Sequence, residues 1–348
     1  ALEVLGNVPY YERNLTMPYT SPQISADELY AHMVGDIEAA IALNALPFRA
    51  SDKEAGRVTT AMAYMLYAEI VMYQRDTARY AKALGYMKEI INSPEYDLVD
   101  DYSTIFTEAG EWSKESIWEI NYISQNAIRD WDTPMAAGGT VLPTLISPNN
   151  WPTGADGHNG GWGFAPVRLE TYEHFSPDDA RRDATIWNVG ASGVDYNKRY
   201  QDFGFFLEKY SAKADGNAGQ KASGELNYNN NWRIYRYSET LLNAAELIVA
   251  TGGSATEAKG YLAAVRNRAG LQQVPEATID NIIEERRLEF VGEGKRYWDL
   301  IRTDKAATVL VPDQYGYRTN TWSPNKKHLP IPQSEIDKAQ GTLTQNPY

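Results

Sequence analysis

Residues 236–271 read RYSETLLNAAELIVATGGSATEAKGYLAAVRNRAGL. Leu241, Leu242, Ala245, Ile248 and Val249 recur at the spacing of one helix face. Gly252-Gly253 turns the chain. Ser254 and Glu257 have the form of a capping box, in which each side chain accepts from the other's backbone amide. Ala258, Tyr261, Leu262 and Val265 supply the returning stripe, and Gly270 suits the left-handed position that ends a helix. Helices joined by so short a link must lie antiparallel. The stretch predicts a helical hairpin.

The same pattern opens the chain. Ser25 and Glu28 form another capping box ahead of Leu29, Met33, Ile37, Ala40 and Ile41, which predicts a helix over 25–43. A second helix follows Gly56-Arg57-Val58-Thr59 and runs to about Tyr73. Asp76 is the expected N-cap of a third, whose buried face holds Tyr80, Ala83, Leu84, Met87, Ile90 and Ile91. A further amphipathic helix is expected over 278–291. Paired helices of this size resemble tetratricopeptide-type hairpins, although no strict repeat occurs. The expected fold is mainly α, with tetratricopeptide-like helical hairpins in an α-α superhelical scaffold and a long loop-rich insertion.

That insertion spans 121–235, between helical hairpins at 25–92 and a helical segment at 236–348. Within it the helical stripes fade, and Gly, Asn, Asp, Pro and aromatic residues dominate. A long structureless stretch inside a folded chain is commonly functional or disordered, and the density of Trp and Tyr argues for order. Residues 211–224, rich in Lys, Ala, Gly and Ser, read as a mobile surface loop.

Composition narrows the function. The chain has 348 residues, net charge −13 and no cysteine. An acidic chain is a poor match for nucleic acid, so no nucleic-acid partner is expected. The missing cysteines exclude disulfides, thiolate metal sites and thiol nucleophiles. No apolar run approaches the roughly 18 residues of a membrane span. Nine Trp and 24 Tyr against eight Phe favour rings that bury a face and keep a polar edge. Metalloprotease, hydrolase-elbow and phosphate-loop strings are absent, so no catalytic residue, cofactor or metal is expected.

A glycan site needs rings for the C–H faces of sugars and polar groups for their hydroxyls. Trp151 and Trp162, set among Asn149, Asn150, Asp156 and His158, offer that mixture, and Trp131 lies in a second polar stretch. These seven residues are the candidate ligand-binding set, with Trp151 and Trp162 as leading rings. Packing of each Trp onto the helices is the competing reading. Glu285, Glu289 and Glu293 are spaced to share a helix face. An acid–base pair for glycoside hydrolysis is conceivable there, but an ion-pair network between helices is the simpler reading.

Four strings in order carry a family resemblance: residues 236–246 (RYSETLLNAAE), 265–271 (VRNRAGL), 285–302 (ERRLEFVGEGKRYWDLIR) and 329–336 (LPIPQSEI), closed by QNPY at 345–348. They resemble the SusD/RagB family. Weaker matches at Gly6-Asn7-Val8-Pro9, Gly56-Arg57-Val58-Thr59 and Ser113–Ile120 extend the likeness over nearly the whole chain. The resemblance implies a non-catalytic protein of the outer-membrane surface that binds glycans and delivers them to a SusC-like TonB-dependent transporter. Peptide capture, as in RagB-like members, a glycoside hydrolase and a purely protein-binding scaffold are the alternatives. It also implies a lipid anchor and further helices upstream, with apolar surface around Leu5, Val8 and Tyr10 left exposed in their absence.

Overall fold

Ser25 caps the first long helix, α1 (Ala26–Ala42). Its hydroxyl accepts from the Glu28 amide at 3.2 Å, and the Glu28 carboxylate accepts from the Ser25 amide at 2.9 Å, completing the capping box. The computed structural model describes residues 1–348. Helix α2 (Thr60–Gln74) starts at Thr59, whose hydroxyl accepts from the Met62 amide at 3.2 Å. This helix is apolar on nearly every side, and Ala61, Met65, Tyr67, Ala68 and Val71 are all fully buried. All-round hydrophobicity is the mark of a central helix.

Helix α3 (Tyr80–Ile91) runs back against α2. It does not begin at Asp76, as expected. That carboxylate instead accepts from the Tyr30 hydroxyl at 2.8 Å and from Arg79 at 2.6 Å. Tertiary partners outcompete the cap, and a single turn at Thr77–Arg79 leads into the helix.

The second hairpin pairs α4 (Tyr237–Ala250) with α5 (Ala255–Arg268). Ser254 accepts from the Glu257 amide, but Glu257 turns its carboxylate to Lys88 of α3 at 2.8 Å, so half the expected box forms. Gly270 takes φ +83° at the expected stop, and the Leu271 amide closes on the Arg266 carbonyl at 3.0 Å. Helices α6 (Ile279–Glu289) and α7 (Arg296–Arg302) follow, with α6 against α4 and α7 against α2. Because α3 packs on α4, the early and late hairpins share one core despite their distance in sequence. The architecture is mainly α-helical, with tetratricopeptide-like hairpins.

Six short strands, β1 (Val8–Pro9), β2 (Gln23–Ile24), β3 (Ser116–Ile120), β4 (Ile186–Asn188), β5 (Phe205–Leu207) and β6 (Trp232–Arg236), form three antiparallel ribbons. The β3–β6 ribbon is the neck of the insertion: the chain leaves the scaffold along β3 and re-enters along β6, directly before α4. The β4–β5 ribbon carries the insertion's own small cores.

Two expectations are corrected here. Val8 is buried by the β1–β2 pairing and Leu2 joins the main core, so the apolar surface near the start is at Tyr11, Met17 and Tyr19 instead. Residues 211–224 begin inside the fold: Ser211 and Ala212 are buried, and the Ala212 amide donates to Ser147 Oγ at 2.8 Å.

Behind the neck lies a sealed ion-pair network. Arg236 reaches Glu115 at 2.6 Å, Glu289 at 2.9 Å and Glu293 at 2.8 Å. Arg268 reaches Glu115 at 2.8 Å and Glu289 at 2.6 Å. From the insertion, Arg181 holds Asp179, Glu285 and Glu289, and Lys209 holds Glu293 at 2.8 Å. Burial lowers Lys209 to about 8, which leaves it charged at neutral pH. Glu285, Glu289 and Glu293 therefore anchor the insertion to the scaffold. They are clamped by cations and closed to substrate, as the ion-pair reading expected.

Candidate functional site

The short helix Leu142–Ile146 and the residues after it form a floor for the segment 161–164. The Trp162 amide donates to the Thr144 carbonyl at 2.7 Å, that of Gly163 to Ser147 at 2.8 Å and that of Phe164 to Leu145 at 2.9 Å. A Cβ on Gly161 would lie 2.3 Å from the Thr144 carbonyl oxygen, so only glycine permits this approach. Asn149 closes one end: its Nδ2 donates to the Gly161 carbonyl at 3.2 Å, and its carbonyl accepts from the Asn197 amide at 2.8 Å.

Trp131 arrives from a separate turn. Arg129 Nη1 donates to the Gly139 carbonyl at 2.6 Å, and Asn227 Nδ2 donates to the Arg129 carbonyl at 2.8 Å. The turn so fixed lays Trp131 near-parallel to Trp162, centroids 5.8 Å apart and planes at 20°. Phe164 continues the row 5.4 Å from Trp162. Trp131 is 53% and Phe164 63% exposed. Arg199 backs the row, with Nε donating to the Trp162 carbonyl at 2.9 Å and the guanidinium 5.8 Å from the Phe164 ring centre. Large exposed rings held by bonded backbone make this row the candidate binding surface. Past Phe164 the row opens into a cleft of about 800 Å³, walled by Arg168, Arg199, Tyr200, Tyr317 and Arg318.

The expected set divides. Trp131, Trp162 and Asn149 come together. Trp151 does not: it is 3% exposed, its indole N–H donates to the Ala155 carbonyl at 2.9 Å, and it packs edge-on against Trp187 with Val189 and Phe206. Trp151 is therefore a core residue and not a leading ring of the site, because its whole indole is used in packing. His158 is also buried, stacked 4.0 Å from Trp187, with Nδ1 2.6 Å from the Asp156 carbonyl and Nε2 2.7 Å from Lys213 Nζ. Its ring nitrogens are occupied by protein. Burial alone would raise neighbouring Glu208, but His158 and Lys213 hold it below the usual carboxylate range. Asn150 and Asp156 are exposed in left-handed turns.

Sequence reasoning missed Phe164, Arg199 and Tyr200. The one available signal was the nearness in sequence of Trp162 and Phe164, which the left-handed Gly163 between them brings into one row. Nothing local placed 199–200 beside it.

Comparison with known proteins agrees with this architecture. The SusD family model matches residues 181–348. SusD-like protein P2 of Formosa agariphila is 24% identical over 376 residues, which cover 99% of this chain and 70% of that protein. Surface glycan-binding protein A from Bacteroides thetaiotaomicron, solved in complex with laminarihexaose, has a TM-score of 0.95 and 61% identity over all of this chain and 75% of that one. A laminarin-binding SusD-like protein has a TM-score of 0.86 and 28% identity, over 99% of this chain and 75% of that one. Helical hairpins bearing a loop-built, exposed aromatic site define a scaffolded binding protein as the class. The chain belongs to the SusD family.

Proposed function

We propose that this protein binds a laminarin-type oligosaccharide at the cell surface without turning it over, and passes it to a SusC-like TonB-dependent transporter in the outer membrane. The observation that carries the reading is the row Trp131–Trp162–Phe164, with Trp131 and Phe164 exposed, Trp162 half-buried between them, and Trp162 and Phe164 held by backbone hydrogen bonds. Rings in a row suit consecutive sugar faces, and Asn149 and Arg199 supply polar groups against it. The glycan class is supported by the 61% identical protein solved with laminarihexaose. Non-catalytic action is supported by the sealing of Glu285, Glu289 and Glu293 in ion pairs. Transporter and outer membrane, reached through a lipid anchor upstream, rest on family membership.

The test is calorimetry with laminarihexaose, followed by chromatography of the recovered sugar. Saturable binding with the hexaose returned intact is the expected result. Shortened products that persist after repurification, or no binding to laminari-oligosaccharides, would overturn the reading.

A further inference from the structure

The cleft beyond Phe164 differs in charge from the rest of the molecule. The chain carries 46 Asp and Glu against 33 Lys and Arg. Yet three arginines, Arg168, Arg199 and Arg318, line this cleft, and no carboxylate does. Arg168 is fixed: it pairs with Asp313 and stands 4.6 Å over the Tyr317 ring. Asp313 also gathers the amides of Tyr315, Tyr317 and Arg318, so the loop forming this wall is wound around it. Gln201 ties the opposite wall to the same loop through the Gly316 carbonyl at 2.7 Å.

The other two guanidinium groups have no carboxylate partner. Arg199 uses only Nε, on the Trp162 carbonyl, and both terminal nitrogens are free. The one side-chain contact of Arg318 is Asn320 Oδ1 at 3.4 Å. In an acidic protein, two unpaired forks in one concavity make a local reversal of field that concentrates anions. A planar fork matches the paired oxygens of a carboxylate or sulfate.

We propose that this cleft is a subsite for an oxyanion carried on a glycan, either a uronic-acid carboxylate or a sulfate ester, with Arg199 and Arg318 as its donors. The inference rests on the reading of the aromatic row as the glycan site, because the row leads into the cleft at Phe164.

The test compares neutral laminarihexaose with the same hexaose carboxylated or sulfated at C6, by calorimetry at low and high salt. At low salt the charged form should bind at least about tenfold tighter, the worth of one charge-assisted hydrogen-bonded contact. High salt should erase the gain. Arg318→Gln should abolish it while neutral binding stays unchanged, and Arg199→Gln should reduce it. A gain confined to the carboxylated or to the sulfated form identifies the oxyanion and supports the proposal. Equal affinity for neutral and charged forms, or a gain that survives both substitutions, overturns it. Charged hexaose that binds through Arg318 while the neutral form fails to bind would sink the neutral-glucan reading and leave the subsite standing.

Discussion

Arg181 and Glu289 stand 3.0 Å apart, both sealed from solvent, and join the insertion to α6. Arg181 also neutralises Asp179 and Glu285. Arg181→Ala leaves buried Asp179 without a cation and removes one partner each from Glu285 and Glu289, which keep Arg266 and Arg236 with Arg268, and should cost about 3–5 kcal/mol. Arg182→Ala, which removes an ion pair to the solvent-exposed Asp183, should stay within about 1 kcal/mol. Urea unfolding measures both. Equal losses would mean the network does not fasten the insertion.

The network also sets acid sensitivity. Burial would raise Glu289, but Arg268, Arg236 and Arg181 together hold it well below the ordinary range, and Glu293 is lowered likewise by Arg236 and Lys209. A depressed folded-state pKa means that the unfolded chain binds protons more readily. The contribution is complete above the ordinary value of 4.5 and is lost as pH falls below it. The urea midpoint should therefore drop steeply between about pH 4.5 and 3. A midpoint that holds to pH 3 would contradict this.

Glu111 acts in the opposite sense. Burial raises it to about 7, beyond what the Asn231 amide and Arg233 offset. The folded state then holds this proton more tightly, so its contribution is present below 4.5 and fades as pH rises through 7. Glu111→Gln keeps an acceptor for the Asn231 amide. It should flatten the decline in stability from pH 5 to 8 and raise the urea midpoint at pH 8. An unchanged profile would place Glu111 at its ordinary value.

Trp151→Ala should cost roughly 3–5 kcal/mol, the range for emptying an aromatic core site. Any lost glycan affinity should follow lost folding, and should return when a stabilising ligand-independent condition restores the fold. Trp151→Ala protein that is fully folded yet unable to bind would return this ring to the site.

The hairpins were legible because their apolar residues repeat at helical spacing and short links, Arg75–Arg79 in one and Gly252-Gly253 in the other, force antiparallel packing. Asp76 and Glu257 show the limit: each has the local chemistry of a cap, and each is drawn to a partner from a distant helix. The site was legible in part. Trp151 and Trp162 sit in similar Gly-, Asn- and Pro-rich text, and their fates differ only through tertiary contacts. Trp187 and Phe206 on a distant ribbon claim the first, and the floor at 144–147 holds the second outward. Arg199 and Tyr200 reach the row from a loop that no periodicity marks.

The most direct measurement is laminarihexaose affinity in Trp131→Ala, Trp162→Ala and the parent protein, with melting temperature recorded alongside. A central aromatic anchor is worth about 2 kcal/mol or more, which is more than tenfold in Kd. The account predicts that Trp162→Ala loses at least that factor, that Trp131→Ala weakens binding as well, and that both melt within a few degrees of the parent. Parental affinity in both folded variants would contradict it and place the glycan elsewhere on the molecule.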